Sequence, residues 1–166
     1  MFNAATVHET IHDASHFGFK VGDVSFDWLK LKTARDAYIT RLNSIYSRNI
    51  ANSKIDVFQG LGTFTGPKEV TVNGKAVTAE HILIAVGGKP FIPPIPGAEH
   101  GISSDGFFAL EKQPKSVAVI GGGYIGTELS GVFHGLGSAT TLFTSTATPL
   151  PSFDTIITET LVSVML

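Results

Sequence analysis

The sequence predicts an α/β fold in two unlike parts: two helices, a small antiparallel β-meander and one buried strand, then the first β–α–β of a second α/β domain. Three observations predict it. Apolar residues recur at three- and four-residue steps as far as about Ala51, the signature of amphipathic helices. Beyond Ile55 the apolar runs become short, β-rich and separated by turn residues. Finally, a glycine-rich turn, Gly121-x-Gly123-x-x-Gly126, stands between an apolar strand and a helix.

Val7, Ile11 and Ala14, at i, i+4 and i+7, predict a first helix within residues 2–17, stopped by Gly18. Ser25 and Asp27 can cap a second, longer helix, in which Trp28, Leu31, Tyr38, Leu42, Ile45 and Tyr46 share a face. Ile55–Phe58, Val70–Val72 and Ala76–Val77 read as a meander, with Asn73-Gly74 as its tight hairpin turn. Ile82–Val86 is an unbroken apolar run ending at Gly87-Gly88. It is expected as a strand buried on both faces that stops where something approaches the backbone. Five prolines between Pro90 and Pro114, with Gly97, Gly101 and Gly106 among them, predict an irregular connection. The pattern restarts with a strand at Val117–Ile120, the glycine turn, a helix through Leu136, a second strand at Ala139–Thr144, and a helical stretch from about Asp154 to Leu166. The domain division expected is 1–112 and 113–166.

Composition narrows the function classes. With 43% hydrophobic and 16% charged residues among 166, the chain can bury a core and is not of the disordered class. A net charge of −2 gives no electrostatic reason to expect nucleic acid or an anionic membrane as partner. There is no cysteine, so no disulfide, thiolate metal site or redox dithiol exists within these residues. No apolar stretch approaches the roughly 18 residues of a spanning helix. His8 and His12 lie at i, i+4 without a third ligand at a recognisable interval and read as a solvated face; His81 and His134 have no visible catalytic partner. Nothing suggests a hydrolytic triad or a carboxylate pair. Every Lys and Arg lies at or before Lys115.

The glycine turn has a mechanism in its context. Gly121 permits a tight turn, Gly123 lets a pyrophosphate approach the backbone, and Gly126 lets the helix lie close to the strand, in the manner of a Rossmann-type unit. The helix N-terminus adds free N–H groups and a favourable dipole, so the ligand implied is a dinucleotide. An acid at the end of the second strand would hold a ribose 2′-OH, and a basic residue a 2′-phosphate. Thr144–Thr148 offers hydroxyls and neither charge, so these residues choose neither NAD nor NADP.

Five blocks in order carry a family resemblance: Arg35-Asp-Ala-Tyr38-Ile-x-Arg41-Leu-Asn-x-Ile45-Tyr46, His81-Ile-Leu-Ile-Ala-Val-Gly87-Gly, Ile102-Ser-Ser-Asp105-Gly-Phe-Phe, Gly123-Tyr124-Ile-x-x-Glu128 and Ser152-Phe-Asp154. Over nearly its whole length the chain resembles the glutathione reductases, flavoprotein pyridine nucleotide-disulfide oxidoreductases. The resemblance implies a homodimer, cytoplasmic or in a mitochondrion or plastid, in which NADPH reduces FAD, FAD reduces a disulfide, and the dithiol reduces glutathione disulfide. It implies a partial FAD-binding domain followed by the start of an NAD(P)-binding domain. The first FAD motif and the redox cysteines would align before Met1, and the dimer domain with its His–Glu pair after Leu166, so the chain is expected to be an internal fragment that is inactive alone.

The resemblance also implies roles. Tyr124 is similar to the gate over the flavin, and Glu128 to a carboxylate near nicotinamide and flavin whose lysine partner is not in this chain. Gly121, Gly122, Gly123, Ile125 and Gly126 would border the nicotinamide dinucleotide. Leu61, Gly62, Val86, Gly87 and Asp105 would lie at the FAD, although the family usually has Thr where Val86 stands. Tyr38 and Tyr46 would line the glutathione-disulfide cleft. The family's 2′-phosphate arginines are replaced by Ser145 and Pro151. Two other readings stay open: another flavoprotein disulfide reductase (lipoamide, trypanothione or mercuric), and a non-catalytic nucleotide-binding fragment. Apolar faces left uncovered predict poor solubility of the isolated chain.

Overall fold

The computed structural model describes residues 1–165, which form two compact units: Met1–Arg35 with the chain from Ile92 onward, and Asp36–Phe91.

In the first unit, helix α1 (Phe2–Asp13) runs into a 3-10 turn, Ala14–Phe17, and ends at Gly18 with φ +82°, as its sequence predicts. Helix α2 (Trp28–Asn52) begins here and continues into the second unit; the Asp27 carboxylate accepts from the Lys30 N–H at 2.9 Å and caps it. The proline-rich stretch is more regular than expected. A 3-10 turn forms at Ala98–His100 and a short helix, α3, at Ser104–Ala109, because no proline falls between Pro96 and Pro114 and the Ser103 hydroxyl accepts from the Asp105 N–H at 3.2 Å. Strand β4 (Ser116–Ile120), helix α4 (Tyr124–Gly135) and strand β5 (Ala139–Phe143) follow, with β4 and β5 parallel and in register from Ser116–Ala139 to Ile120–Phe143. Helix α5 (Thr155–Met165) completes the unit, and the expected final helical residue, Leu166, lies outside the described residues.

An aromatic cluster holds these elements together. Trp28 stacks on Phe133 of α4 at 5.9 Å, Phe107 of α3 meets both rings edge-on, and the indole N–H donates to the Leu110 carbonyl at 2.8 Å. Each such ring pair adds about 0.5–1.5 kcal/mol beyond the area it buries. Val132, Leu136 and Ala5 extend the core, and α1 packs against α4 where Gly135 lacks a side chain: a Cβ there would lie 3.0 Å from that of Ala5. Arg35 donates to the Phe108 carbonyl at 2.7 Å with its guanidinium over the Phe108 ring, tying α2 to α3.

The second unit carries an antiparallel sheet of β1 (Gly62–Gly66), β2 (Glu69–Val72) and β3 (Lys75–Thr78) in that order. Asn73 and Gly74, at φ +49° and +78°, make the expected two-residue turn, and the Asn73 amide donates to the Gln59 carbonyl. Two expected strands are corrected. Ile55–Phe58 belongs to no sheet, and the meander's first strand is Gly62–Gly66, whose flanking glycines and single large apolar side chain hide it from pattern reading. Ile82–Val86 runs without ladder partners, with Leu83 90% and Val86 88% exposed. A strand is buried on both faces only between neighbouring strands and covering layers, and none among the described residues pairs with this one.

Candidate dinucleotide-binding site

The site is built at the C-terminal ends of the parallel strands, where ligands of open α/β sheets bind. The Gly121 N–H donates to the Phe143 carbonyl at 2.9 Å, carrying the β4–β5 pairing one residue past Ile120. At φ +123° Gly121 then turns in a conformation closed to L side chains. A Cβ on Gly126 would overlap the Gly121 carbonyl oxygen, so this glycine lets α4 start against the turn. Gly123 is the N-cap in extended conformation and makes no side-chain cap, so the first-turn N–H groups of α4 remain available to an anion. A Cβ on Gly123 would meet nothing within 4 Å, so its absence serves no packing purpose.

A cleft of about 330 Å³ opens there, between Gly122–Tyr124 and a loop formed by Ser145, Thr146 and Leu150–Phe153. The loop is braced from within. The Leu150 N–H donates to the Gly122 carbonyl at 2.6 Å, and a Cβ on Gly122 would come within 2.8 Å of the Thr144 methyl carbon. The Thr144 hydroxyl donates to the Thr146 carbonyl at 2.5 Å and the Thr146 hydroxyl to the Thr148 carbonyl at 2.8 Å. Leu150 itself sits at φ +56°, and Pro149 beside it is buried. Sequence reasoning missed Leu150 and Phe153 as cleft residues. The hydroxyl- and proline-rich stretch directly after β5 and the Ser152-Phe-Asp154 block were the signals, and neither says which residue turns left-handed.

The structure thus brings Gly122, Gly123, Tyr124, Ser145 and Pro151 together at one cleft, with Gly121, Ile125 and Gly126 in the turn and helix start behind it. Tyr124 is 59% exposed at the cleft mouth; Glu128, one helical turn on, is exposed. Among the described residues, no lysine or arginine lines the cleft. Asp105 is exposed in the first turn of α3, in the same unit. The remaining expected residues belong to the second unit. Gly62 pairs with Val72 in the sheet, Leu61 and Val86 expose their side chains, and Gly87, at φ +67°, would meet nothing if it carried a Cβ. Tyr38 and Tyr46 project from α2 and are exposed, the former under the Arg41 guanidinium at 5.2 Å. His8 and His12 join no metal-binding group among the described residues.

The profile of the pyridine nucleotide-disulphide oxidoreductases matches residues 2–165. The chain belongs to this family. Among curated members, a glutathione reductase of Yarrowia lipolytica is 47% identical over 97% of the chain, and one of Schizosaccharomyces pombe 46% identical over 96%. The chain spans only 37% and 36% of their respective lengths. Among solved structures of flavoprotein disulfide reductases, the HOCl-induced enzyme RclA of Escherichia coli in its copper(II) complex superposes with a TM-score of 0.75 at 26% identity, covering 95% of this chain and 36% of that one. A second structure of the same enzyme gives the same TM-score of 0.75 at 26% identity. For this oxidoreductase-family chain the mixed α/β architecture, with helices, meander and parallel strands, is thereby that of the flavoprotein disulfide reductases. No helix among the described residues is long and apolar enough to cross a membrane.

Proposed function

We propose that the chain is the part of a glutathione-disulfide reductase that binds the nicotinamide dinucleotide and contributes backbone to the FAD site, residues 1–112 belonging to the FAD domain and 113–166 to the NAD(P)H domain. The observation that carries the reading is the glycine turn at the start of α4, where a Cβ is excluded at Gly126 by packing and at Gly123 by nothing in the protein itself. Bound NADPH and FAD would supply hydride and electron transfer. The chain's own residues do the rest: first-turn N–H groups of α4 hold the pyrophosphate, Tyr124 covers the cleft mouth, and Glu128 places a carboxylate one turn behind it. The exposed chain at Gly87 and Leu61–Gly62 suits close approach of the second dinucleotide, with Val86 as its neighbour. Tyr38 and Tyr46, exposed on α2, would face the disulfide substrate. Homodimerisation and a cytoplasmic location accompany this reading.

These residues include no cysteine, so thiol–disulfide exchange cannot occur on them. The purified chain is expected to bind a reduced nicotinamide nucleotide in calorimetric titration, and to show no turnover of glutathione disulfide above the blank. Absence of binding would sink the dinucleotide reading; measurable turnover would sink the assignment of the redox step to residues outside the chain.

A further inference from the structure

The ribose end of the cleft lacks what a 2′-phosphate requires. A phosphate monoester carries about −1.5 to −2 charges at pH 7 and is normally met by Arg or Lys. Among the described residues no cation lines this cleft, and none occurs between Ser116 and Leu166. Lys115 lies at the opposite end of β4, about 16 Å of strand away, which exceeds the Debye length of about 8 Å in physiological salt. The loop's threonine hydroxyls do not substitute for it, since those of Thr144 and Thr146 are already spent as donors on the loop's own carbonyls and Thr148 does not line the cleft. What remains at the rim is neutral: the Ser145 and Ser152 hydroxyls and the apolar Leu150, Pro151 and Phe153.

Resting on the reading of this cleft as a dinucleotide site, we infer that it does not select NADPH, and accepts NADH with equal or greater affinity. Neutral hydroxyls suit a ribose 2′-OH, which needs one hydrogen bond, whereas a dianion placed among them loses hydration without gaining a charged partner. Nor does an acidic side chain stand at the end of β5 to enforce the unphosphorylated ribose, so the site is permissive. Ser145 is the position that decides: it is exposed, lines the cleft, and follows directly on the Thr144 brace.

The test is titration of the full chain with NADH and with NADPH, followed by nicotinamide fluorescence at low and at physiological salt. The expected result is an NADPH-to-NADH affinity ratio at or below one, with the same salt dependence for both. A tenfold preference for NADPH overturns the inference. Failure of both nucleotides to bind overturns the dinucleotide reading and the inference with it. Ser145→Arg is expected to raise the ratio about tenfold or more and to make NADPH binding salt-sensitive, as a charge-assisted bond does. An unchanged ratio in that variant, with Trp28 emission as in the parent chain, shows that Ser145 is not at the 2′ position and overturns the argument.

Discussion

Gly126 and Gly123 lie three residues apart in the same turn, yet the structure assigns them different tasks, and alanine at each separates the two. A methyl group on Gly126 overlaps the Gly121 carbonyl oxygen, a backbone atom. Ordinary carbon–oxygen contact is about 3.3 Å, so helix or turn must give by about 1 Å. The turn resists, because the Gly121 N–H is bonded to the Phe143 carbonyl and the Gly122 carbonyl to the Leu150 N–H. The helix resists as well, because its far end is set in the core through Phe133 and Leu136. Overpacking of this kind costs about 1–3 kcal/mol. With about 2–4 °C per kcal/mol for a chain of this size, the melting midpoint of Gly126→Ala should fall by about 4–8 °C at the middle of that range.

At Gly123 the same methyl group meets nothing within 4 Å, and the backbone, at φ −73° and ψ 173°, suits any residue. Gly123→Ala should therefore keep its stability within about 0.5 kcal/mol of the parent. Its new carbon stands at the cleft where a pyrophosphate would reach the first-turn N–H groups, so nucleotide affinity should drop by about tenfold or more. Thermal unfolding by circular dichroism and nucleotide titration on the same samples distinguish the effects. A Gly126→Ala chain with parental midpoint refutes the steric account of the turn. A Gly123→Ala chain that binds nucleotide as the parent does refutes the placement of the pyrophosphate.

Other consequences can be checked with equal economy. Phe133→Ala removes the ring stacked on Trp28 and an edge partner of Phe107, and should cost about 3–5 kcal/mol. Because the chain has a single tryptophan, its emission in a denaturant titration reports the loss directly, and an unshifted midpoint would contradict the core assignment. Asn73→Ala loses both tolerance of φ +49° and the bond to the Gln59 carbonyl, worth about 1–2 kcal/mol together. Asn73→Gly restores the turn geometry alone, so β2–β3 amides should exchange fastest in the alanine variant and at an intermediate rate in the glycine one.

What was legible in the sequence follows from what each element needs. The longer helices were readable because their signals are local: Asp27 sits where it caps α2, and Gly18 stops the first helix with a positive φ; the six-residue α3 was hidden among the prolines and glycines around it. The Asn73-Gly74 turn was readable because few other residue pairs adopt both of its conformations. Strands are not local objects. Ile82–Val86 has the composition of a central strand, but a strand exists only with partners, and the described chain pairs none with it. Its exposed side chains, with those of Ile120 and Phe143 on the open face of the two-stranded sheet, are apolar surface of the kind that binds hydrophobic dyes and favours association.

The candidate site divides along a similar line. Its pyrophosphate end is set by backbone sterics, where the presence or absence of one carbon decides, and glycine spacing in sequence reports that faithfully. Its ribose end is set by the path of a loop. The hydroxyls of Thr144–Thr148 promise polar contacts, but the loop folds so that two of them satisfy its own carbonyls, held by a left-handed Leu150 anchored to the Gly122 carbonyl. A residue type counts toward recognition only with the donors that folding leaves over. Here folding leaves neutral groups at the rim, so on the proposed reading the glycine turn carries no information about which dinucleotide binds, and the two properties would change independently: Gly123 would tune whether a nucleotide binds, and Ser145 which one.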